Sequence, residues 1–304
     1  MKRRNLKNMN KSNLLFHIFN FVFWVVMLFI VIYPLYLICI ASISDADAVT
    51  RGDVTWRPVN ISMIGYEAVL KNTKIWVSYA NSFLYVIGGL IVAITMTMLA
   101  AYAMSRRIFP GKKVFTWYIL VTMFFGGGLI PTFLVIKDIG LYNTRTLMII
   151  LGCFSTWNLM VARVYIQSTL PEELYEAAVL DGASHFQYFF KVVLPLSKTI
   201  IAVLTVYYGI GKWNDYFTGL VYLRDEALYP LQTVLRGILA SLNPTMADDV
   251  VQVMDNLESL VQARKIANVA KYCVIVISTG PAVVLYMTMQ KYFEKGVMIG
   301  SLKG

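Results

Sequence analysis

Charge is what this chain has least of. Only 14% of its 304 residues are Asp, Glu, Lys or Arg, where a soluble globular domain carries about 25%. A chain so poor in charge cannot dress itself in a solvated surface, and an ordinary soluble fold is excluded. Histidine is scarcer still: His17 and His185 are the two, far apart and in no metal-ligand spacing. The three cysteines, Cys39, Cys153 and Cys273, lie in separate apolar stretches without a C-x-x-C spacing. Neither a disulfide framework nor a zinc site is suggested, and they read as small packing residues. A phosphate-binding loop is also missing. The stretch Gly209-Ile210-Gly211-Lys212-Trp213 fails on spacing and lacks the hydroxyl that would reach magnesium. With no nucleophile-elbow pattern either, the chain is read as neither an enzyme nor a cofactor holder.

What fills the chain instead is apolar. Hydrophobic residues make up 58% of it and gather into long uncharged runs. The net charge of +10 would suit nucleic acid, yet the cations sit in short clusters beside the apolar runs, with no basic patch carrying interleaved aromatics. The expected partner is the lipid bilayer, not nucleic acid. Residues 1–13 form a basic tail, read as cytoplasmic, and Ser12 to Ser44 then carries no charge. That run is too long for a signal-peptide core, so it predicts a retained first span near 14–41. The rest of 14–74 is a polar external segment with Trp56 as an interfacial anchor.

A second span covers 75–105 and ends at Arg106 and Arg107, which with Lys112 and Lys113 mark a cytoplasmic turn. The third run, 114–136, should break near its outer end at Gly126-Gly127-Gly128 and Pro131. The fourth, 146–162, is short enough to continue past Arg163, whose side chain would snorkel to the headgroups. The fifth, Lys198 to Leu223, is interrupted by Lys212 and Asp215 and carries Gly209 and Gly211 for close helix approach. An external loop at 224–270 with acidic residues Asp248, Asp249, Asp255 and Glu258 precedes a last span at 272–290, kinked at Gly280-Pro281. A basic tail at 291–304 follows. The fold expected is all-α and polytopic, with six transmembrane helices and both termini cytoplasmic.

Between the fourth and fifth runs lies a compact charged insert, residues 169–195. Thr169 and Glu172 have the spacing of a capping box, Pro171 falls in the first turn, and Glu172 and Glu173 face the positive end of the helix dipole. The helix so started should end at Gly182 in the left-handed conformation. Ser184 with Gln187 then offers a second capping box, with His185 inside it, for a helix running to Pro195. About three turns are too few to stand alone in water, and Leu174, Ala177, Ala178 and Val179 among the carboxylates ask for a partner surface.

Glu176-Ala177-Ala178, then Gly182, then Val192 and Leu194-Pro195 resemble the EAA loop of permease subunits in bacterial ATP-binding-cassette importers; Val192 departs mildly from the Ile of that pattern. Asp181-Gly182-Ala183 resembles its carbohydrate branch. Phe125–Pro131, Trp213–Phe217, Tyr229–Gln232 and the tail Lys295–Gly304 resemble the oligosaccharide group of maltose-type permeases, which includes alginate importers. The resemblance covers nearly the whole chain. It implies a five-helix permease core, here within 75–290, and a coupling loop at 169–195 whose short helix docks on an ATPase. It also implies a second homologous permease, two ATPase subunits holding ATP and Mg, and an extracytoplasmic sugar-binding protein.

On that resemblance the ATPase-coupling residues are Glu176, Ala177, Ala178, Asp181, Gly182 and Pro195. For the substrate path the residues themselves leave alternatives open. Lys212 and Asp215 could form an i to i+3 ion pair near the outer interface, or mark a stretch where Trp213, Asn214 and Tyr216 offer sugar-binding rings and amides. Asn158 and Trp157 suit that path, interhelical hydrogen bonding or interfacial anchoring equally. The function expected is import of an oligosaccharide. A permease for an amino acid, polyamine or phosphate is the alternative, and an ion-coupled transporter, which needs a buried midplane carboxylate, is a weaker one.

Overall fold

A computed structural model describes residues 11–241 and 257–301, with side chains placed for 15–240 and 265–292. The N-terminal cations Lys2 to Lys7, the acidic residues Asp248, Asp249 and Asp255, and Lys303 lie outside the described residues, as do the side chains of Glu258 and Lys295. Among the described residues the regular structure is entirely helical. The chain divides into two compact units, one of residues 1–71 and 242–277, the other of 72–241 and 278–304.

The first unit holds α1 (Lys11–Ser42), α2 (Ala46–Arg51), α3 (Ile64–Leu70) and the first part of α14 (Leu257–Ser301). Nearly every apolar side chain of α1 from Leu15 to Tyr36 is exposed, which in a charge-free stretch of helix this long is a surface for lipid. Trp56 folds back on it: its ring lies 4.9 Å from that of Tyr33, and the Tyr36 hydroxyl donates to the Trp56 carbonyl at 2.6 Å. Asp45 caps α2, whose Asp47 pairs with Lys265 at 2.6 Å. That hydrogen bond holds the Asp47 carboxyl below the usual carboxylate range. A β-carbon on Gly65 would meet Val269 and Cys273 at under 3 Å, so the missing side chain is what lets α3 and α14 touch.

The second unit is built around α4 (Thr73–Ser105), about 50 Å of helix at 1.5 Å per residue. Its buried face, with Ala93, Thr97, Met98 and Ala101, packs against α8 (Thr156–Thr169), α10 (His185–Leu196) and α11 (Lys198–Trp213). Thr97 and Tyr208 hydroxyls bond across this core at 2.8 Å.

Other runs are not single straight helices. The third is α5 (Lys112–Phe124) and α6 (Leu129–Asp138), bent by 113° at the three glycines. Gly128 sits at φ +83°, a conformation side chains resist, so the break expected there is found. The fourth run is no single helix: α7 (Arg145–Ile150) stops at Leu151, Gly152 takes φ +76°, and α8 restarts with Ser155 as its cap. As expected, α8 passes Arg163, but that guanidinium turns onto Thr116 of α5 (3.2 Å) instead of extending free to the headgroups.

Lys212 and Asp215 form no ion pair. Lys212 Nζ donates to the carbonyls of Met148 (2.8 Å) and Leu151, which the end of α7 leaves unpaired, while Asp215 caps α12 (Tyr216–Tyr222) by accepting from the Thr218 amide at 3.0 Å. Each charge serves a helix end, and that explains two charges inside an apolar run. Gly209 does permit close approach, with Leu285 2.6 Å from where its β-carbon would stand; Gly211 faces open space. The stretch read as an external loop carries α13 (Leu231–Ser241), and α14 begins at Leu257 and runs helical through Gly280-Pro281.

Among the described residues three helices can cross a membrane by length and composition, Leu15–Ser42, Thr73–Ser105 and Lys265–Tyr292, or up to five if the bent pairs α5–α6 and α10–α11 each count once. The sixth expected span is the one that α7 and α8 divide.

Candidate coupling surface and substrate path

The insert between α8 and α10 forms α9 (Glu172–Leu180). Its start differs from the expected capping box. Thr169 is the last residue of α8, Pro171 holds the cap position, and no side chain caps the helix. Glu172 is engaged elsewhere: Arg106, just past α4, grips its carboxylate at 2.6 and 3.5 Å. The same guanidinium lies 3.5 Å over the ring of Tyr175. With side chains 15% and 25% exposed, Arg106 and Glu172 form a half-buried fork in which one cation holds two successive turns of α9.

The far end of α9 is as the sequence predicts. Gly182 takes φ +76°, its amide donates to Val179 (2.9 Å) and the Ala183 amide to Ala178 (2.9 Å), the reciprocal pair of a Schellman stop. Two residues on, Ser184 and Gln187 complete the second capping box. Within it His185 stacks on Tyr175 at 5.4 Å and its Nδ1 lies 3.2 Å from the Tyr102 hydroxyl. Helix α10 continues with a π-helical stretch over Phe189–Val193 before bending 78° into α11.

These contacts decide which way α9 faces. Tyr175 and Ala178 turn inward onto the core, while Glu173, Leu174, Glu176, Ala177, Val179 and Leu180 face outward, Leu180 being 88% exposed. Of the expected coupling residues, Glu176, Ala177, Asp181 and Pro195 are exposed, Gly182 shapes the turn, and Ala178 packs partly buried against the core. Sequence reasoning missed Arg106 and Tyr175. The available signal was the unpaired basic pair at 106 and 107 facing an insert rich in Glu.

The path candidates are not brought together. Trp213 is 4% exposed, its indole N–H donates to the Ser278 carbonyl at 2.8 Å, and Tyr79 and Phe83 pack on its ring. Asn158 is buried at 7% in α8. Asn214 and Tyr216 are exposed on one turn, and Arg236 of α13 lies 4.5 Å over the Tyr216 ring. A polar row on α4 was not anticipated: Asn81 donates to Ala227 and Tyr229, Tyr85 to Leu228, and Ser82 accepts from the Leu231 amide. It ties the Leu228–Gln232 segment to α4.

A permease seated in the membrane, with a short capped helix presented at one end, is the class of protein this arrangement defines. Residues 93–299 match the family described as the inner membrane component of binding-protein-dependent transport systems, and the chain belongs to it. It is similar to the polygalacturonan/rhamnogalacturonan transport system permease protein YtcP of Bacillus subtilis (strain 168), 32% identical over 96% of this chain and 100% of that one. Protein LplC of the same organism is 35% identical over 89% of this chain and 88% of its own. Among solved structures, the crystal structure of a bacterial ABC transporter involved in the import of the acidic polysaccharide alginate matches with TM-score 0.83 and 32% identity, over 94% of this chain and 99% of that chain. The protein is thus a multi-pass permease component of the cytoplasmic membrane.

Proposed function

We propose that this chain is one of two homologous permeases in an importer that moves an oligosaccharide, with ATP and Mg bound and hydrolysed on two separate ATPase subunits and the sugar delivered by an extracytoplasmic binding protein. The observation that carries the reading is the outward face of α9: a nine-residue helix stopped by a Schellman turn and gripped by Arg106, yet showing Leu174, Ala177, Val179 and Leu180 to the outside. A helix held so firmly and covered so little is built to be covered by another subunit. Glu176 and Ala177 make the docking contact, and Asp181, Gly182 and Pro195 shape the approach to it.

For the substrate, the names of YtcP and of the alginate importer favour a uronic-acid oligosaccharide. Asn214 and Tyr216 with the overlying Arg236 supply what such a ligand asks for, an amide, a ring face and a cation. Trp213, buried next to them in sequence, supports that path from within, while Asn158 on α8 would line a separate stretch of it. The test is ATPase activity and uptake by the reconstituted complex over a panel of neutral and acidic oligosaccharides. Stimulation by acidic members is expected. Uptake by liposomes holding this chain alone, driven by an ion gradient, would overturn the reading.

A further inference from the structure

Beside the α4–α5 turn, Lys112, Lys113 and Arg163 converge on a cavity of about 340 Å³ completed by Thr116 and Trp117. Three cations and no carboxylate line it. Glu172, which shares a neighbouring cavity with Lys112, is held by Arg106, and among the described residues none of the three cations is in a salt bridge. Lys112 Nζ donates to the Arg106 carbonyl at 3.1 Å, Arg163 Nη1 donates to Thr116 Oγ1, and Arg163 Nε is buried with no hydrogen-bond partner. Like charges brought together, two of them half-buried and one guanidinium nitrogen buried without a partner, are held there at a cost that an anion between them removes.

The setting says which anion. From this cluster α5 runs on with Val114, Trp117, Tyr118 and Val121 exposed, so the cations stand at one end of an apolar wall. Trp117 has the amphipathic ring that favours the boundary between hydrocarbon and headgroups. The geometry points to a binding site for the phosphate of an anionic phospholipid, its headgroup held by Lys112, Lys113 and Arg163 and its acyl chains laid along α5. A free phosphate would use the cations but leave the wall uncovered; a basic pocket between membrane helices suits a lipid headgroup on both counts. Placing the site in the inner leaflet rests on the coupling reading, because the same turn grips α9; the binding itself does not.

The purified permease with its co-purifying subunits is titrated with phosphatidylglycerol and, separately, phosphatidylcholine, and bound lipid is counted by native mass spectrometry. Selective retention of phosphatidylglycerol is expected. Lys113→Gln, at an exposed position, should weaken it about 5-fold and Lys113→Gln with Arg163→Gln at least about 10-fold, each cation near a membrane surface contributing on that scale. Lys113→Arg with Arg163→Lys should restore it. Equal retention of the two lipids, or unchanged retention in both Gln variants, overturns the proposal. So does displacement of phosphatidylglycerol by millimolar inorganic phosphate alone, which would assign the cluster to a free anion. Loss of a co-purifying permease from the Gln variants with lipid retention unchanged would make it a protein contact instead.

Discussion

Gly182 illustrates how much a single residue can specify. Nothing lies within 4 Å of where its β-carbon would be, so a side chain there is resisted by backbone conformation and not by crowding. At φ +76° the cost to an L-residue is about 1–2 kcal/mol, less for Asn and more for a β-branched side chain. Gly182→Asn should therefore keep most uptake, Gly182→Ala less and Gly182→Val least, at near-equal membrane abundance; abundance falling in parallel with uptake would mean folding, not coupling, is at stake. Arg106 and Glu172 predict a different signature. Arg106→Gln and Glu172→Gln should each lower uptake, and a double-mutant cycle on the stability of the α9 seat, followed by protection of a cysteine at position 178, should give a coupling of about 1–2 kcal/mol. Additive effects would show that the fork is not an interaction of consequence. Ala178→Trp should reduce abundance because Ala178 faces the core, whereas Ala177→Trp should spare abundance and abolish ATPase association.

Among the helices, breaks and close approaches set the architecture. A β-carbon on Gly219 would stand 2.4 Å from Thr233 Oγ1 and 2.9 Å from the Pro230 ring, so α12 meets the start of α13 only because that position is bare. Gly219→Ala should cost about 1–3 kcal/mol and show as lost abundance, while Gly211→Ala, in open space, should be silent in the same thermal assay. Equal behaviour of the two would remove the packing argument. These same features mark what the sequence made readable. Gly182, Ser184 with Gln187, and the three glycines after Phe125 act through their own backbone or their nearest neighbours, and local chemistry of that kind is written locally. The cap of α9, by contrast, depended on Arg106, 66 residues away, which drew Glu172 from the role its spacing suggested. Lys212 and Asp215 sit three residues apart and looked like partners, yet Asp215 caps the helix that follows it and Lys212 answers to a helix end 64 residues away that only tertiary structure brings near. The division of 146–162 was hidden because an uncharged run records burial in lipid, not where a helix stops inside it. Residues 272–290 likewise mark the apolar part of α14 and not its start.

At the scale of the whole chain, sidedness is the claim most open to direct test. On the topology proposed from the Lys and Arg distribution, position 176 is cytoplasmic and position 240 external; in a cysteine-free background, an impermeant reagent on intact cells should then modify a cysteine at 240 and not one at 176. The reverse pattern would invert the molecule and with it the coupling reading. That reading gives α4 a mechanical meaning. Near one end it is followed by the arginine that grips α9; toward the other it is stitched through Asn81, Ser82 and Tyr85 to the segment at 227–231. Between Asn81 and Arg106 lie about 38 Å of backbone, nearly all of it unbroken helix. A rod of that length swung through only about 5° carries its far tip about 3 Å, roughly the breadth of a water molecule. Pushed at α9, such a strut would need no elastic intermediate to widen or narrow a passage at the opposite rim.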